Sequence, residues 1–143
     1  MAYGNPVAIM REYLSLQPTL MALIPGGLFS PRIPEGETPP CIGFFVRGGA
    51  SNPHMEEIVE VSLQFDCWSF TDDTGPLEAY AIYLELFSTL QGLQNQSVVL
   101  PGPPPVTHRI MSVIEEVSGQ QIQAVDPKDG HRVLGLFRAM MEV

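Results

Sequence analysis

The chain has 143 residues, a length typical of a single domain that buries about two-thirds of its unfolded surface, so we predict one domain over residues 1–143. Its net charge of −9, with only seven Lys and Arg residues, argues against nucleic-acid binding, because affinity for phosphates comes mainly from clustered cations. With 45% hydrophobic and 16% charged residues, the chain is more apolar than a small solitary domain requires, which predicts that part of its surface does not face water.

The N-terminal sequence MAYGNPVAIM has neither a basic segment nor a long apolar segment, so it does not predict a signal peptide. No stretch approaches the roughly 20 apolar residues of a membrane-spanning helix, and we expect a soluble protein that does not enter a membrane. Cys41 and Cys67 lie in apolar, strand-like stretches without CxxC spacing. This placement favours buried thiols that form no disulfide, and synthesis in a reducing compartment.

The first predicted elements are two short helices. Asn5-Pro6 combines an N-cap acceptor with a proline at the first helical position, which predicts a helix that begins at residue 6. Gln17-Pro18 interrupts it, and Pro18 can begin a second short helix that ends before residues 25–27. Residues 28–40 contain four prolines and no periodicity, which is typical of an extended crossing segment.

Two strands follow this crossing. Residues 41–47 are apolar on both faces, as in a strand inside a sheet, and residues 59–67 alternate strictly, as in a strand with one face in the core. Trp68 and Phe70 stand on the polar face of the second strand, so a helix of the same chain or a neighbouring chain must cover them. The ten residues 48–57 are long for a hairpin loop, and long loops often carry function.

A longer helix is predicted from about residue 76 to residue 91, with Gly92 in the C-terminal capping position. It is apolar nearly all round, so it must be covered on two sides. One stripe consists of Leu77, Tyr80, Ala81, Leu84 and Phe87, and a second consists of Ala79, Ile82, Tyr83, Leu86 and Leu90. We expect the chain's own sheet to cover one side and either a partner subunit or the N-terminal helices to cover the other.

The remaining sequence reads as strands. Residues 98–100 predict a short strand, the prolines of 101–105 a rigid connector rather than an SH3 ligand, and residues 106–117 another strand. A turn at 126–130 precedes the last strand, 131–143, which is apolar on both sides and should lie inside the sheet or be capped by a neighbour. The elements together predict an α+β fold: a mostly antiparallel sheet packed with N-terminal helices and one longer central helix.

The sequence contains no recognisable catalytic set. Its three histidines, His54, His108 and His131, lack metal-ligand spacing, and Gly26-Gly27 and Gly48-Gly49 lack the context of a phosphate loop. Adjacent carboxylates on a strand point to opposite faces, which prevents shared acid–base chemistry. We therefore predict no catalytic, metal or cofactor-binding residues and a role in assembly.

The order of elements resembles the tail-completion and tail-terminator proteins of long-tailed bacteriophages. Four stretches carry the resemblance: the N-terminal helix pair; the strand at 39–46 after a proline-rich crossing; residues 61–69, ending in Phe-Asp-Cys-Trp-Ser, with the helix that closes in Leu90-Gln91-Gly92; and residues 126–138. Together they span nearly the whole chain.

This resemblance implies a homo-oligomeric ring, usually a hexamer, at the head-proximal end of the tail tube. Such a ring stops polymerisation of the tube and joins the tail to the head connector. The implied partners are further copies of the chain, the tail-tube protein and the connector, and the implied location is the virion, after synthesis in the host cytoplasm. DNA would pass through the lumen without specific binding, which suits the acidic composition.

A ring closed by head-to-tail contacts needs two different apolar patches on each subunit. Our candidates for the subunit interface are Trp68, Phe70, Ile82, Tyr83, Leu86 and Leu90. Our candidates for a loop that reaches the tube or the connector are Ser51, Asn52, His54, Met55, Glu56 and Glu57.

Two other functions remain open at this point. One is a different virion component, such as a neck, head-completion or minor tail protein. The other is a small α+β enzyme, for instance a hydrolase, which would need a polar pocket with a perturbed titratable group.

Overall fold

The computed structural model describes residues 4–31, 33–34, 40–51, 54–69, 75–122 and 130–143. Within these ranges the elements are, in chain order, α1 (Pro6–Ser15), α2 (Pro18–Leu23), β1 (Gly27–Phe29), β2 (Cys41–Ser51), β3 (Ile58–Ser69), α3 (Gly75–Leu90), β4 (Gln94–Leu100), β5 (Val106–Ile122) and β6 (His131–Glu142). The α+β class is confirmed, whereas the finer prediction of a mostly antiparallel sheet with one longer central helix is not, because the sheet is mixed and curled around the three described helices. None of the described helices combines the length and the apolar character needed to cross a membrane.

All the described strands belong to one sheet, in the order β1-β2-β3-β6-β5-β4. The sheet is mixed: β1 runs parallel to β2, whereas the β2–β3, β3–β6, β6–β5 and β5–β4 pairs are antiparallel. The register shifts once between β2 and β3 and three times between β5 and β6. Because each bulge bends its strand and increases the local twist, the sheet curls.

The N-terminal helices begin where the sequence predicts. The Asn5 side chain accepts a hydrogen bond from the backbone N–H of Val7 at 2.9 Å, and Pro6 occupies the first turn. Pro18 begins α2, which is six residues long. Both helices turn apolar side chains towards the sheet, with Ile9, Leu14 and Leu20 fully buried.

The core lies between the three described helices and one face of the sheet, called here the inner face. The alternation in β3 places Leu63, Phe65 and Cys67 on this face, all fully buried, as its period-two pattern predicts. Phe65 stacks on Phe44 of β2 at 5.2 Å between ring centroids and meets Phe137 of β6 edge-on at 5.7 Å. These three rings fix β2, β3 and β6 beneath the helices.

Tyr83 sets the position of α3 on the sheet. Its ring lies over two glycines of neighbouring strands: a Cβ atom at Gly119 would lie 2.6 Å from the ring, and one at Gly135 still closer. Its hydroxyl donates a hydrogen bond to Glu115 of β5. Burial and this bond to a carboxylate both raise the pKa of Tyr83 above its usual range. Because Gly119 and Gly135 have no side chains, the sheet has room for the Tyr83 ring at these two positions.

Candidate functional site

Across the residues that the structure describes, no cluster of three or more His, Cys, Asp or Glu side chains could hold a metal ion. Both cysteines are fully buried, and burial raises the pKa of the Cys67 thiol, which disfavours the reactive thiolate.

The four residues of α3 proposed for a subunit contact lie in the core instead. Ile82, Tyr83, Leu86 and Leu90 are between 0 and 3% exposed, because they face the chain's own sheet. Their assignment to a partner contact is therefore wrong. Helical periodicity reveals two apolar stripes, and the stripe that meets the sheet includes Tyr83, whose ring lies over two glycines.

The other stripe of α3 faces outwards. Leu77 is 72% exposed, Tyr80 36% and Leu84 51%. They border an apolar groove of about 510 Å³, the α3 groove, whose lining is Leu77, Tyr80, Ala81, Leu84, Gly119 and Gln121. Large apolar side chains exposed side by side are typical of protein-contact surfaces. The stripe was visible in the sequence, although its contact with β5 was not.

Trp68 lies on the opposite side of the sheet, called here the outer face, and is partly buried. Its position on the polar face of β3 is as predicted. The Arg132 guanidinium lies 5.3 Å from the centroid of its ring, a cation–π contact. None of the three described helices covers this face, because all of them pack on the inner face. Phe70, its predicted companion, lies outside the described residues.

Polar side chains on the outer face form a network across three strands. Arg138 of β6 forms an ion pair with Glu60 of β3 at 3.1 Å and approaches Glu116 of β5 at 3.9 Å. The Ser62 hydroxyl donates to Glu116 at 2.9 Å. Because these groups are partly exposed to water, the network contributes little stability but fixes the positions of its charges.

A second chain of polar contacts begins at the β2 bulge. Arg47 donates to the Gln64 side chain at 3.0 Å, and Gln64 donates to Asp66 at 3.4 Å. Burial raises the pKa of Asp66, and the nearby charge of Arg132 partly opposes this effect. Arg109 forms an ion pair with Glu142 at 2.9 Å at the end of β6.

The outer face is therefore close to electrically neutral. Among the described residues it carries four of the chain's seven Lys and Arg residues, namely Arg47, Arg109, Arg132 and Arg138. Four carboxylates balance them: Glu60, Asp66, Glu116 and Glu142. The net charge of −9 must arise elsewhere on the chain.

The loop between β2 and β3 is shorter than the ten residues, 48–57, that the sequence predicts. β2 continues to Ser51, and a bulge after Val46 keeps Gly48 and Gly49 in register with β3. A Cβ atom at Gly49 would lie 2.9 Å from Cα of Val61, so glycine permits the close approach of the two strands. Gly48 and Gly49, predicted from the sequence to lie in the loop, are thus part of β2.

The tip of the β2–β3 hairpin retains most of the predicted partner loop. Ser51, His54, Met55, Glu56 and Glu57 are all exposed, whereas Asn52 lies outside the described residues. The Ile58 N–H donates to the carbonyl of Met55 at 3.1 Å, and the Val143 N–H donates to the carbonyl of Glu57 at 2.6 Å. The first bond closes the turn of the tip, and the second ties its base to Val143 after β6. Its role in binding a partner remains a prediction.

No family model matches the sequence, and no curated protein matches it either. The fold, however, is similar to that of a solved chain from the virion of a native gene transfer agent particle. The TM-score is 0.59 at 17% sequence identity, and the alignment covers 95% of this chain and 93% of that chain. At such low identity the similarity concerns the fold alone, and the two chains share it over nearly their whole lengths.

Proposed function

We propose that the chain is a structural protein of a phage-like virion. The observation that carries this proposal is the shared fold with a chain of a gene transfer agent virion over 95% of this sequence. The exposed apolar stripe of α3 supports it, because a virion component must bury surface against its neighbours. The order of sequence elements that resembles tail-terminator proteins gives independent support.

Within the virion, we propose that the chain is a tail terminator. Copies would form a closed ring, usually of six, at the head-proximal end of the tail tube, stop its polymerisation and join it to the head connector. Head-to-tail rings need two different contact surfaces on each subunit. The α3 groove is our candidate for one such surface, and the exposed hairpin tip is our candidate for contact with the tube or the connector.

The neutral outer face fits a ring through which DNA passes. A wall of unpaired cations would bind phosphates and retard DNA, whereas each arginine on the outer face already has a carboxylate, amide or aromatic partner. We expect DNA to bind the assembled protein weakly and without sequence preference.

The test is to mix the purified protein with tail tubes and examine them by negative-stain electron microscopy. A terminator caps one end of each tube and limits tube growth, and native mass measurement gives a single oligomer. Replacing His54, Met55, Glu56 and Glu57 together by serine should keep the oligomer but abolish capping. Serine at the exposed Arg11 of α1 is the matched control and should cap normally. A protein that stays monomeric, both alone and with tubes, would contradict the proposal.

Another neck, head-completion or minor tail protein is the second candidate, because the fold similarity points to a virion and not to one component of it. The same mixtures distinguish the two. A head-completion protein would bind isolated heads and leave tube length unchanged.

A further inference from the structure

On the side away from β3, most of β2 has no neighbouring strand in the part of the chain that the structure describes. The three-residue β1 pairs only with Cys41, Ile42 and Gly43. Among the described residues, no strand pairs with residues 45–51 on the edge that points away from β3. An uncovered strand edge presents backbone N–H and C=O groups to another chain, and proteins usually shield such edges.

At the opposite edge, part of β5 likewise has no second neighbouring strand among the described residues. β4 pairs with β5 only from Val106 to Ser112. The turn after α3 covers the next residues, where the N–H of Gly92 donates to Val113 at 3.2 Å and the side chain of Gln91 accepts from the N–H of Glu115 at 2.7 Å. Beyond that point no described strand pairs with 116–122 on the side away from β6, although the Gly119 backbone is already hydrogen-bonded to the Tyr83 hydroxyl.

The α3 groove runs beside this second edge. Gly119 and Gln121 line the groove and belong to the uncovered part of β5, while Leu77, Tyr80 and Leu84 form its apolar wall. A backbone edge next to an apolar groove is the arrangement that accepts an added strand: the edge supplies hydrogen bonds and the groove receives alternate side chains. The occupant that fits must be extended and carry an apolar side chain on its inner face.

We propose that residues 45–51 of β2 in one copy of the chain pair along residues 116–122 of β5 in the next copy. This inference rests on the proposed self-association and names the surfaces that produce it. Both uncovered stretches are seven residues long, about 23 Å at the usual rise of a strand. Because the two edges differ, the contact is head-to-tail, and the bulges on both strands curve the joined sheets towards a ring rather than a flat fibre.

Side chains at the two edges are complementary on both faces. On the inner face, Val46 is 41% exposed and would enter the α3 groove beside Tyr80 and Leu84. On the outer face, Arg47 bonds to the neutral Gln64, and Glu116 stands on the uncovered part of β5. In the antiparallel register that sets Val46 opposite Gln121, Arg47 lies opposite Gln120 and forms no direct ion pair with Glu116. The two stretches still carry opposite charges, so apolar contact and charge both favour a second copy as the occupant.

Cysteine cross-linking tests this contact. The variants Val46→Cys and Gln121→Cys place thiols on the two edges, and the native Cys41 and Cys67 are fully buried and should not react. Each variant oxidised alone should give no cross-link, a mixture of the two should give dimers only, and the double variant should give a ladder that ends at the subunit number of the ring. Pairing Val46→Cys with Gln96→Cys on β4 is the control and should give none.

Charge insertion gives a second readout on folded protein. Val46→Asp should weaken self-association at least tenfold by native mass measurement over a dilution series, whereas Val99→Asp, at a valine 51% exposed on β4, should leave it unchanged. An intact oligomer with no cross-links, or equal effects of the two substitutions, would overturn the edge contact while leaving the proposed function standing. A wild-type chain that is monomeric at every concentration and at tube ends would overturn both.

Discussion

Leu84 and Leu86 provide a matched pair of positions for testing which side of α3 is core and which is contact surface. They are the same residue type, two positions apart on one helix, yet Leu86 is fully buried and Leu84 is 51% exposed at the α3 groove. The perturbation is alanine at each position, with aspartate at Leu84 as a stronger probe of association.

The structure gives the two substitutions different magnitudes. Removing a fully buried leucine leaves a cavity and costs about 2–5 kcal/mol, so Leu86→Ala should lower the melting temperature by roughly 6–20 °C in a domain of this size. At Leu84 about half of the side chain already faces water in the single chain. Its truncation should therefore cost about 1 kcal/mol or less of the free energy of unfolding.

For self-association we expect the opposite order: substitution at Leu84 should have the larger effect and substitution at Leu86 the smaller. Leu84→Asp places a charge in the groove where the partner strand is expected, so the folded chain should become monomeric at concentrations where the wild type is an oligomer. Thermal unfolding at low protein concentration and native mass measurement at several concentrations separate the two effects. If Leu86→Ala melted within about 2 °C of the wild type and still lost the oligomer, the assignment of the two stripes would be refuted.

Four further predictions follow from single contacts. Gly135→Ala should destabilise the chain by about 1–3 kcal/mol in urea unfolding, because its methyl group collides with the Tyr83 ring, and the cost should fall when Tyr83 is also replaced by Ala. Tyr83→Phe should cost about 1–2 kcal/mol in the same assay, since Glu115 loses its hydroxyl donor; an unchanged midpoint would show that water replaces it. Burial raises the pKa of Asp66, so its carboxyl group binds a proton more tightly in the folded state than in the unfolded state. Its contribution to stability is therefore fully present below the unfolded-state pKa and is lost as the pH rises through the folded-state pKa. We therefore expect the change in melting temperature caused by Asp66→Asn, relative to the wild type, to be more favourable at pH 7 than at pH 4. A variant that lost more stability at pH 7 than at pH 4 would contradict the assignment. Arg138→Ala should change stability by less than about 1 kcal/mol, because its ion pairs with Glu60 and Glu116 are solvent-exposed; a larger loss would indicate a cooperative network.

Local chemistry made several elements predictable from sequence. Asn5-Pro6 supplies both a cap and a pre-formed first turn, and α1 begins there. The alternation of residues 59–67 assigns one face of β3 to the core without reference to any other element. Both predictions depend only on residues that are neighbours in the sequence, so contacts with distant parts of the chain do not alter them.

Features that depend on distant partners could not be predicted in the same way. β1 is three residues long and is held by parallel pairing with β2, so it has no periodicity of its own. The strand predicted over 106–117 continues as β5 to Ile122 through a bulge between Val117 and Gln120, where the Tyr83 ring of α3 packs on Gly119. The buried stripe of α3 was misassigned for the same reason, since the glycines that receive Tyr83 lie in strands formed much later in the sequence.

The distribution of charge bears on what must hold the proposed assembly together. On the outer face four arginines and four carboxylates offset one another, so a DNA phosphate near this face would have to displace an existing partner before it gained one. The chain as a whole carries −9, so like-charged copies repel each other at long range, and its few cations offer little attraction to DNA phosphates. Association therefore has to come from short-range contacts. The α3 groove and the two uncovered strand edges are the surfaces on which apolar burial and backbone hydrogen bonds can overcome that repulsion.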